Sequence, residues 1–196
     1  MSTEYTLTIE GTEATIPGGT ALLLLHPSTG ATDRIDTQFL KTDTDRMLVI
    51  STRTTAREVE QKLDYYEVDE SKATILDTLS VERGYTRRQN DHVRYISRPE
   101  DLDAIVDEVE RFLRENDGRR RISLDSLTEM IYYADESATH DAVERVLALL
   151  DDYDAVGLFH LARGVHDDET VSAFREHFDG LIELDEDGTT VTTLNL

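Results

Sequence analysis

The sequence predicts an α/β fold whose central sheet is mostly parallel and ends in a C-terminal β-hairpin. Three features carry that expectation. Apolar runs without alternation, "ALLLL" at 21–25, "MLVIS" at 47–51 and "AVGLFHL" at 155–161, fit strands buried on both faces, the habit of parallel sheets covered by helices. Amphipathic segments stand between them, and strands alternating with helices imply right-handed crossovers within one sheet. The last residues, "GLIELDEDGTTVTTLNL", turn near Asp187 and Gly188, a residue pair suited to a tight hairpin.

Each element follows from its local pattern. "YTLTIEGTEATI" alternates polar and apolar residues around Gly11, which predicts a short hairpin running into the turn "PGG" at 17–19. The strand at 21–25 continues into "HPSTGATDRIDTQFL", a turn and then a helix. After the strand at 47–51 comes "TAREVEQKL", whose Val59 and Leu63 share a helical face. "ATIL" at 73–76 and "VRYIS" at 93–97 read as short strands on either side of a polar, arginine-bearing surface loop at 80–91. "RPEDLDAIVDEVERFLREN" carries Leu102, Ile105, Val106, Val109, Phe112 and Leu113 on one helical face, with Pro99 expected at the helix start. "RISLDSLTEM" at 121–130 begins a second strand–helix cycle. "SATHDAVERVLALL" then predicts a helix burying Ala142, Val143, Val146, Leu147 and Leu150, and "DETVSAFREHF" a last one.

The chain has 196 residues, enough for one domain over 1–196 with a real core. Lys and Arg number 20 against 42 Asp and Glu, a formal charge of -22 spread along the whole length. That charge opposes generic attraction to nucleic acid or to an anionic membrane. Abundant Asp and Thr, few Lys and no Cys resemble the proteins of salt-loving archaea in composition, where a charged shell keeps the fold soluble. Without cysteine there is no disulfide, thiol nucleophile or thiolate metal site. The polar, acidic start "MSTEYTLTIEGTEATI" and the shortness of every apolar run lead us to expect a cytoplasmic protein with neither export signal nor membrane span.

In an open α/β sheet, ligands bind beyond the carboxyl ends of the strands, so the residues after those ends carry most weight. One such stretch is His26, Pro27, Ser28, Thr29, Gly30, Ala31, Thr32 and Asp33; another is Asp125 and Ser126 in "ISLDS". A phosphate-binding loop reads G-x-x-x-x-G-K-[ST], with glycines letting backbone N–H groups wrap phosphate, lysine neutralising it and the hydroxyl holding magnesium. Laid on this chain, that frame puts His26 and Ala31 at the glycines, Thr32 at the lysine and Asp33 at the hydroxyl.

The ordered set "GGTALLLLHPSTGATDRIDTQFL", "MLVISTRTTAREVEQKL", "RISLDSLTEM" and "AVGLFHLARGVHDDETVSAFREHFDGLIEL" resembles the RecA-type P-loop ATPases of the KaiC-like archaeal group, over about residues 17–186. The resemblance implies a RecA-like three-layer fold. It also identifies the chain as a degenerate, haloarchaeal-type member lacking the P-loop lysine. By the same resemblance Asp125 and Ser126 are the vestigial metal side, and His26 to Asp33 a vestigial nucleotide-binding loop. The family's water-polarising glutamates fall at Arg53 and Thr54, neither of which is a competent base. Glu58 and Glu60 lie further along the next helix. A lost lysine forfeits an attraction of about 4 kcal/mol at ~4 Å and an effective dielectric near 20, and Asp33 adds repulsion.

The expected function is therefore a non-hydrolysing RecA/KaiC-like domain, with no catalytic residue, no metal and no cofactor. It would act as a regulatory or protein-interaction module, with a protein partner or with itself as homo-oligomer. Two alternatives remain: an ATPase taking ATP with magnesium through an unconventional loop, with Arg53 or a partner's side chain as the cation, and an accessory paralogue of DNA recombination. Asp33 reads either as a plain helix cap or as an anion the protein supplies in place of phosphate. Asp125 reads as a metal-side remnant or as a helix-capping or turn residue before Ser126. His26, Ser28 and Asp33 lack the glycines of a hydrolytic elbow, and "HDD" at 166–168 reads as a solvated acidic turn. Arg83, Arg87, Arg88, Arg94 and Arg98, with "RRR" at 119–121, read as charge balance or as contacts for an acidic partner, a neighbouring subunit or a nucleic-acid backbone.

Overall fold

In the computed structural model, which describes residues 2–28, 31–85 and 90–196, the expected N-terminal hairpin forms from β1 (Glu4–Ile9) and β2 (Thr12–Pro17). Glu10 and Gly11 between them both have positive φ, 45° and 81°, as a two-residue turn matched to strand twist requires. This hairpin is a sheet of its own, and it lies against the face of a larger one.

The larger sheet holds β3 (Ala21–Pro27), β4 (Arg46–Ser51), β5 (Ala73–Asp77), β6 (Val93–Tyr95), β7 (Arg120–Asp125), β8 (Val156–Arg163), β9 (Gly180–Leu184) and β10 (Thr190–Leu194). Their order is β10-β9-β3-β8-β7-β4-β5-β6, with every neighbouring pair parallel except β9 and β10. The connecting helices are α1 (Asp33–Lys41), α2 (Ala56–Tyr65), α3 (Leu102–Glu115), α4 (Leu127–Tyr133), α5 (Glu136–Asp152) and α6 (Asp168–Arg175).

Strand alternation divides the core in two. Leu22 and Leu24 of β3 point toward α1, α2 and the hairpin, where they meet Tyr5, Ile35, Phe39 and Leu63. Leu23 and Leu25 point the other way, toward Val109 and Phe112 of α3, Val143 and Val146 of α5 and Phe174 of α6. Runs such as "ALLLL" are uninterrupted because both faces are covered. Helix α3 starts at Leu102 rather than at Pro99: Asp101 caps it, its carboxylate accepting the Ala104 N–H at 3.1 Å, and that bond fixes the first turn.

The crossover leaving β3 through α1 runs over one face toward β4, and the crossover leaving β8 through α6 runs over the other toward β9. The boundary between β3 and β8 is therefore the topological switch point, where open α/β sheets form a crevice. Among the described residues no helix is long and apolar enough to cross a membrane.

Candidate functional site

His26 is the penultimate residue of β3 and His160 sits in β8, both on the α1 face and both without solvent exposure. Their rings meet edge-on with centroids 6.0 Å apart. The His26 Nδ1 lies 2.8 Å from the Pro27 carbonyl, which can only accept, so Nδ1 carries the proton. Burial pushes His26 down to about 4, leaving the ring neutral at pH 7 with its Nε2 lone pair buried and without a partner among the described residues.

A buried charge network lies beside these rings. Asp36, fully buried on α1, accepts from Lys62 Nζ of α2 at 2.8 Å, from His160 Nε2 at 3.0 Å and from the Ser123 hydroxyl of β7. Burial alone would raise the Asp36 carboxyl, but the Lys62 ammonium and the His160 hydrogen bond outweigh it and hold it well below the usual carboxylate range. Lys62 is displaced upward: burial opposes its charge, and Asp36 more than compensates. The other nitrogen of His160 faces Asp125 Oδ1 at 3.7 Å, and that oxygen meets Arg53 Nε at 2.9 Å. The Arg53 N–H is not aligned with Asp125 Oδ1, so the contact is an ion pair rather than a hydrogen bond. Two carboxylates thus stand against two cations, and the charges are matched within the chain itself.

Of the residues singled out in the sequence, the structure brings Arg53 and Asp125 together and leaves Thr54 beside Ser51, their hydroxyls 2.8 Å apart. Asp125 caps no helix; Ser126 occupies that position at the start of α4, and its hydroxyl bonds the Glu129 carboxylate. A backbone bond from Thr52 N to Asp125 O at 2.8 Å and a bond from Ser126 N to the Thr52 hydroxyl oxygen at 2.7 Å hold the ends of β4 and β7 in register. Thr29 and Gly30 of the loop lie outside the described residues. Thr32 is the cap residue of α1 and makes no side-chain capping bond, so Asp33 is not a helix cap; it sits one position in, where its charge still favours the helix N-terminus. Pro27 and Ala31 border an open cavity of about 550 Å³ with Arg34, Tyr66 and the acidic turn Asp185–Gly188.

The two arginine neighbourhoods are largely spent inside the fold. Arg94 pairs with Glu108 and Glu115, and Arg98 with Glu100. Arg119 pairs with Asp43, and Arg120 donates to the Leu113 and Asn116 carbonyls. Arg121 is fully buried between the Tyr5 and Phe39 rings and donates to Thr6 O at 2.6 Å, with burial pulling it down to about 10. Arg98 and Arg119 keep 70% and 42% of their side chains exposed while ion-paired within the chain, the arrangement expected of charge balance. Arg87 and Arg88 lie outside the described residues. "HDD" is likewise structural: Asp167 caps α6 and His166 bonds Thr128.

Residues 3–194 match one protein family, described as a family of unknown function, DUF7090. The chain belongs to DUF7090. No curated protein matches this DUF7090 chain. Solved structures do share its fold. A KaiC-like protein of the archaeon Pyrococcus horikoshii is 12% identical with a TM-score of 0.67, over 99% of this chain and 88% of that one. An uncharacterised protein of the same archaeon, in complex with an unknown peptide, is 16% identical with a TM-score of 0.66, over 91% and 84%. An ATPase of the type III secretion system of pathogenic bacteria is 13% identical with a TM-score of 0.63, over 95% and 57%. The fold of this DUF7090 member is RecA-like, of the KaiC type.

Sequence reasoning missed Asp36, Lys62, Ser123 and His160, as it missed Asp77. Asp77 is fully buried at the end of β5 and accepts from the N–H groups of Ala56, Leu79 and Ser80. The available signal was a polar residue inside an apolar run: His160 in "AVGLFHL" and Ser123 in "RISLD" occupy positions that parallel strands normally give to Val or Leu.

Proposed function

We propose that this DUF7090 chain is a RecA/KaiC-like domain that does not hydrolyse ATP and acts as a regulatory or protein-interaction module in the cytoplasm of a salt-adapted cell. The observation that carries the reading is the ion pair between Arg53 and Asp125. Arg53 stands where the resemblance expects a water-polarising glutamate, and it supplies the cation that magnesium would otherwise offer Asp125. Lys62 lies nearby and is engaged by Asp36 at 2.8 Å. Magnesium with a nucleoside triphosphate does not fit this arrangement. The carboxylate that would hold the metal already has a partner, and Asp33 in the first turn of α1 repels phosphate where a helix N-terminus would otherwise attract it. The peptide described with the Pyrococcus neighbour is consistent with a protein-binding use of this fold. Nucleic acid is a poor partner, since the net charge is -22 and Arg94, Arg98, Arg119 and Arg120 are engaged within the chain.

The test is calorimetric titration of the pure protein with ATP and magnesium in concentrated potassium chloride. We expect no saturable heat and no phosphate release. A second reading, nucleotide binding through an unconventional loop, has one observation in its favour: the cavity of about 550 Å³ beside Pro27 and Ala31 falls within the size range of small-molecule sites. Magnesium-dependent saturation in the same titration would establish it, and turnover abolished by Asp125→Ala would replace the proposal.

A further inference from the structure

Strand β10 forms one edge of the large sheet, and no described strand pairs with its outer side. Backbone direction alternates along a strand, so two bonds fix which groups face outward. Asn195 N donates to Asp179 O at 2.8 Å and Thr189 O accepts from Asp185 N at 3.0 Å, which turns the odd-numbered residues of this segment toward β9. Thr190, Thr192 and Leu194 therefore direct their N–H and C=O groups away from the sheet.

Native edges are usually blunted by charge, proline or shortness. The opposite edge follows that rule: β6 is three residues long, and its Arg94 is ion-paired to Glu108 and Glu115. Strand β10 does not. From Thr189 to Leu196 there is no charged residue and no proline, in a chain that is 32% charged. Val191 is 56% exposed and Leu196 62% exposed on the same segment.

We propose that β10 is the dimerisation strand of this protein, pairing antiparallel with β10 of a second copy about a two-fold axis at Thr192. The pairing is self-complementary. Thr190 of one copy stands opposite Leu194 of the other, and Thr192 stands opposite Thr192, so each outward donor meets an outward acceptor. The absence of charge selects the occupant. Two chains of net charge -22 repel wherever their acidic surfaces meet, and this strand is where they can touch without opposing charges. A peptide chosen by its charge finds nothing here to select it. Orientation follows from the acidic turn at Asp185, Glu186 and Asp187, which precedes β10. Antiparallel pairing places the two turns at opposite ends, ~30 Å apart at ~3.4 Å per residue, well beyond the screening length, whereas parallel pairing would set them side by side.

The dimer deepens the interaction-module reading by naming the partner, but its existence does not depend on whether nucleotide binds, so loss of one result leaves the other standing. The test uses the full chain, which has no native cysteine, in concentrated potassium chloride. Sedimentation equilibrium of the wild type should show a concentration-dependent dimer that weakens as salt is lowered. Thr192→Pro removes an outward N–H and no bond to β9, so it should sediment as a monomer with its thermal midpoint within a few degrees of wild type. Under mild oxidation Thr192→Cys should form a disulfide-linked dimer at least tenfold faster than Thr190→Cys, whose position is offset from its own copy. This register test stands even where the proline variant fails to fold. A wild type that is monomeric at every concentration, a folded Thr192→Pro that remains dimeric, or equal crosslinking at both positions would each overturn the proposal.

Discussion

Asp36→Ala is the substitution that tests the buried network most directly. Asp36 is inaccessible to solvent, and the Lys62 side chain that it neutralises is only 12% exposed. Removing one partner of a buried pair leaves the other charge uncompensated, which costs about 3–5 kcal/mol. Ser123 and His160 lose an acceptor as well, at about 1 kcal/mol each, although relaxation and water entry keep the sum below simple addition. We expect a loss of about 4–5 kcal/mol, a large part of the ~5–15 kcal/mol typical of a domain, and at about 2–4 °C per kcal/mol a fall in thermal midpoint of roughly 10–15 °C. Lys62→Met should cost a similar amount because it strands the carboxylate. The double variant Asp36→Leu with Lys62→Met should cost far less than the two single losses together, since the desolvation of both charges goes with them. Urea unfolding in concentrated potassium chloride measures all of these. A loss below about 1 kcal/mol for Asp36→Ala, or a double variant whose cost equals the sum, would refute the claim that these groups are mutually dependent. The pH dependence has a definite sign. The Asp36 carboxyl is depressed from 3.8, so its contribution is present above that value and lost as pH falls below it. Lys62 is raised from 10.5, so its contribution is present below that value and lost as pH rises through the folded one.

Further outcomes follow from the same geometry. His26 is lowered from 6.5 to about 4 by burial, so between those values the unfolded chain binds a proton that the folded chain does not, and stability should fall by about 2–3 kcal/mol as pH drops across the window. His26→Asn should lack that component; parallel stability curves for the two proteins would count against it. Arg53→Ala should cost about 1–3 kcal/mol, because its pair with Asp125 is partly exposed, and should make the thermal midpoint respond to magnesium where the wild type does not. An equal response in both proteins would show that Arg53 does not stand in for the metal. Gly157→Ala should destabilise by about 1–3 kcal/mol by overpacking, since a Cβ there would lie 2.8 Å from Leu150 Cδ1 and from Phe159 Cε2. Calorimetric unfolding indistinguishable from wild type would show that β8 yields at this point.

Much of the fold was legible because strands covered on both faces leave a continuous apolar signature, as in "ALLLL", and an amphipathic helix such as α3 repeats its period plainly. Helix starts were less certain: Pro99 marked the right region, but the bond from Ala104 to Asp101 decided where α3 begins. The candidate site was legible only in part. Arg53 and Asp125 stood out one at a time, at the ends of two strands, yet their ion pair depends on β4 and β7 being neighbours in the sheet.

The sequence by itself determined the parallel α/β class and the hairpins at both ends. Those features are written in local pattern, which needs no distant residue to be read. Tertiary structure alone decided that Asp36, Lys62, Ser123 and His160 form one network and that Arg53 neutralises Asp125. Ser123 and His160 are separated from Asp36 by 87 and 124 positions. Only the packing of α1 and α2 on one face of the sheet brings them within hydrogen-bonding distance, and only burial there makes their charges depend on one another.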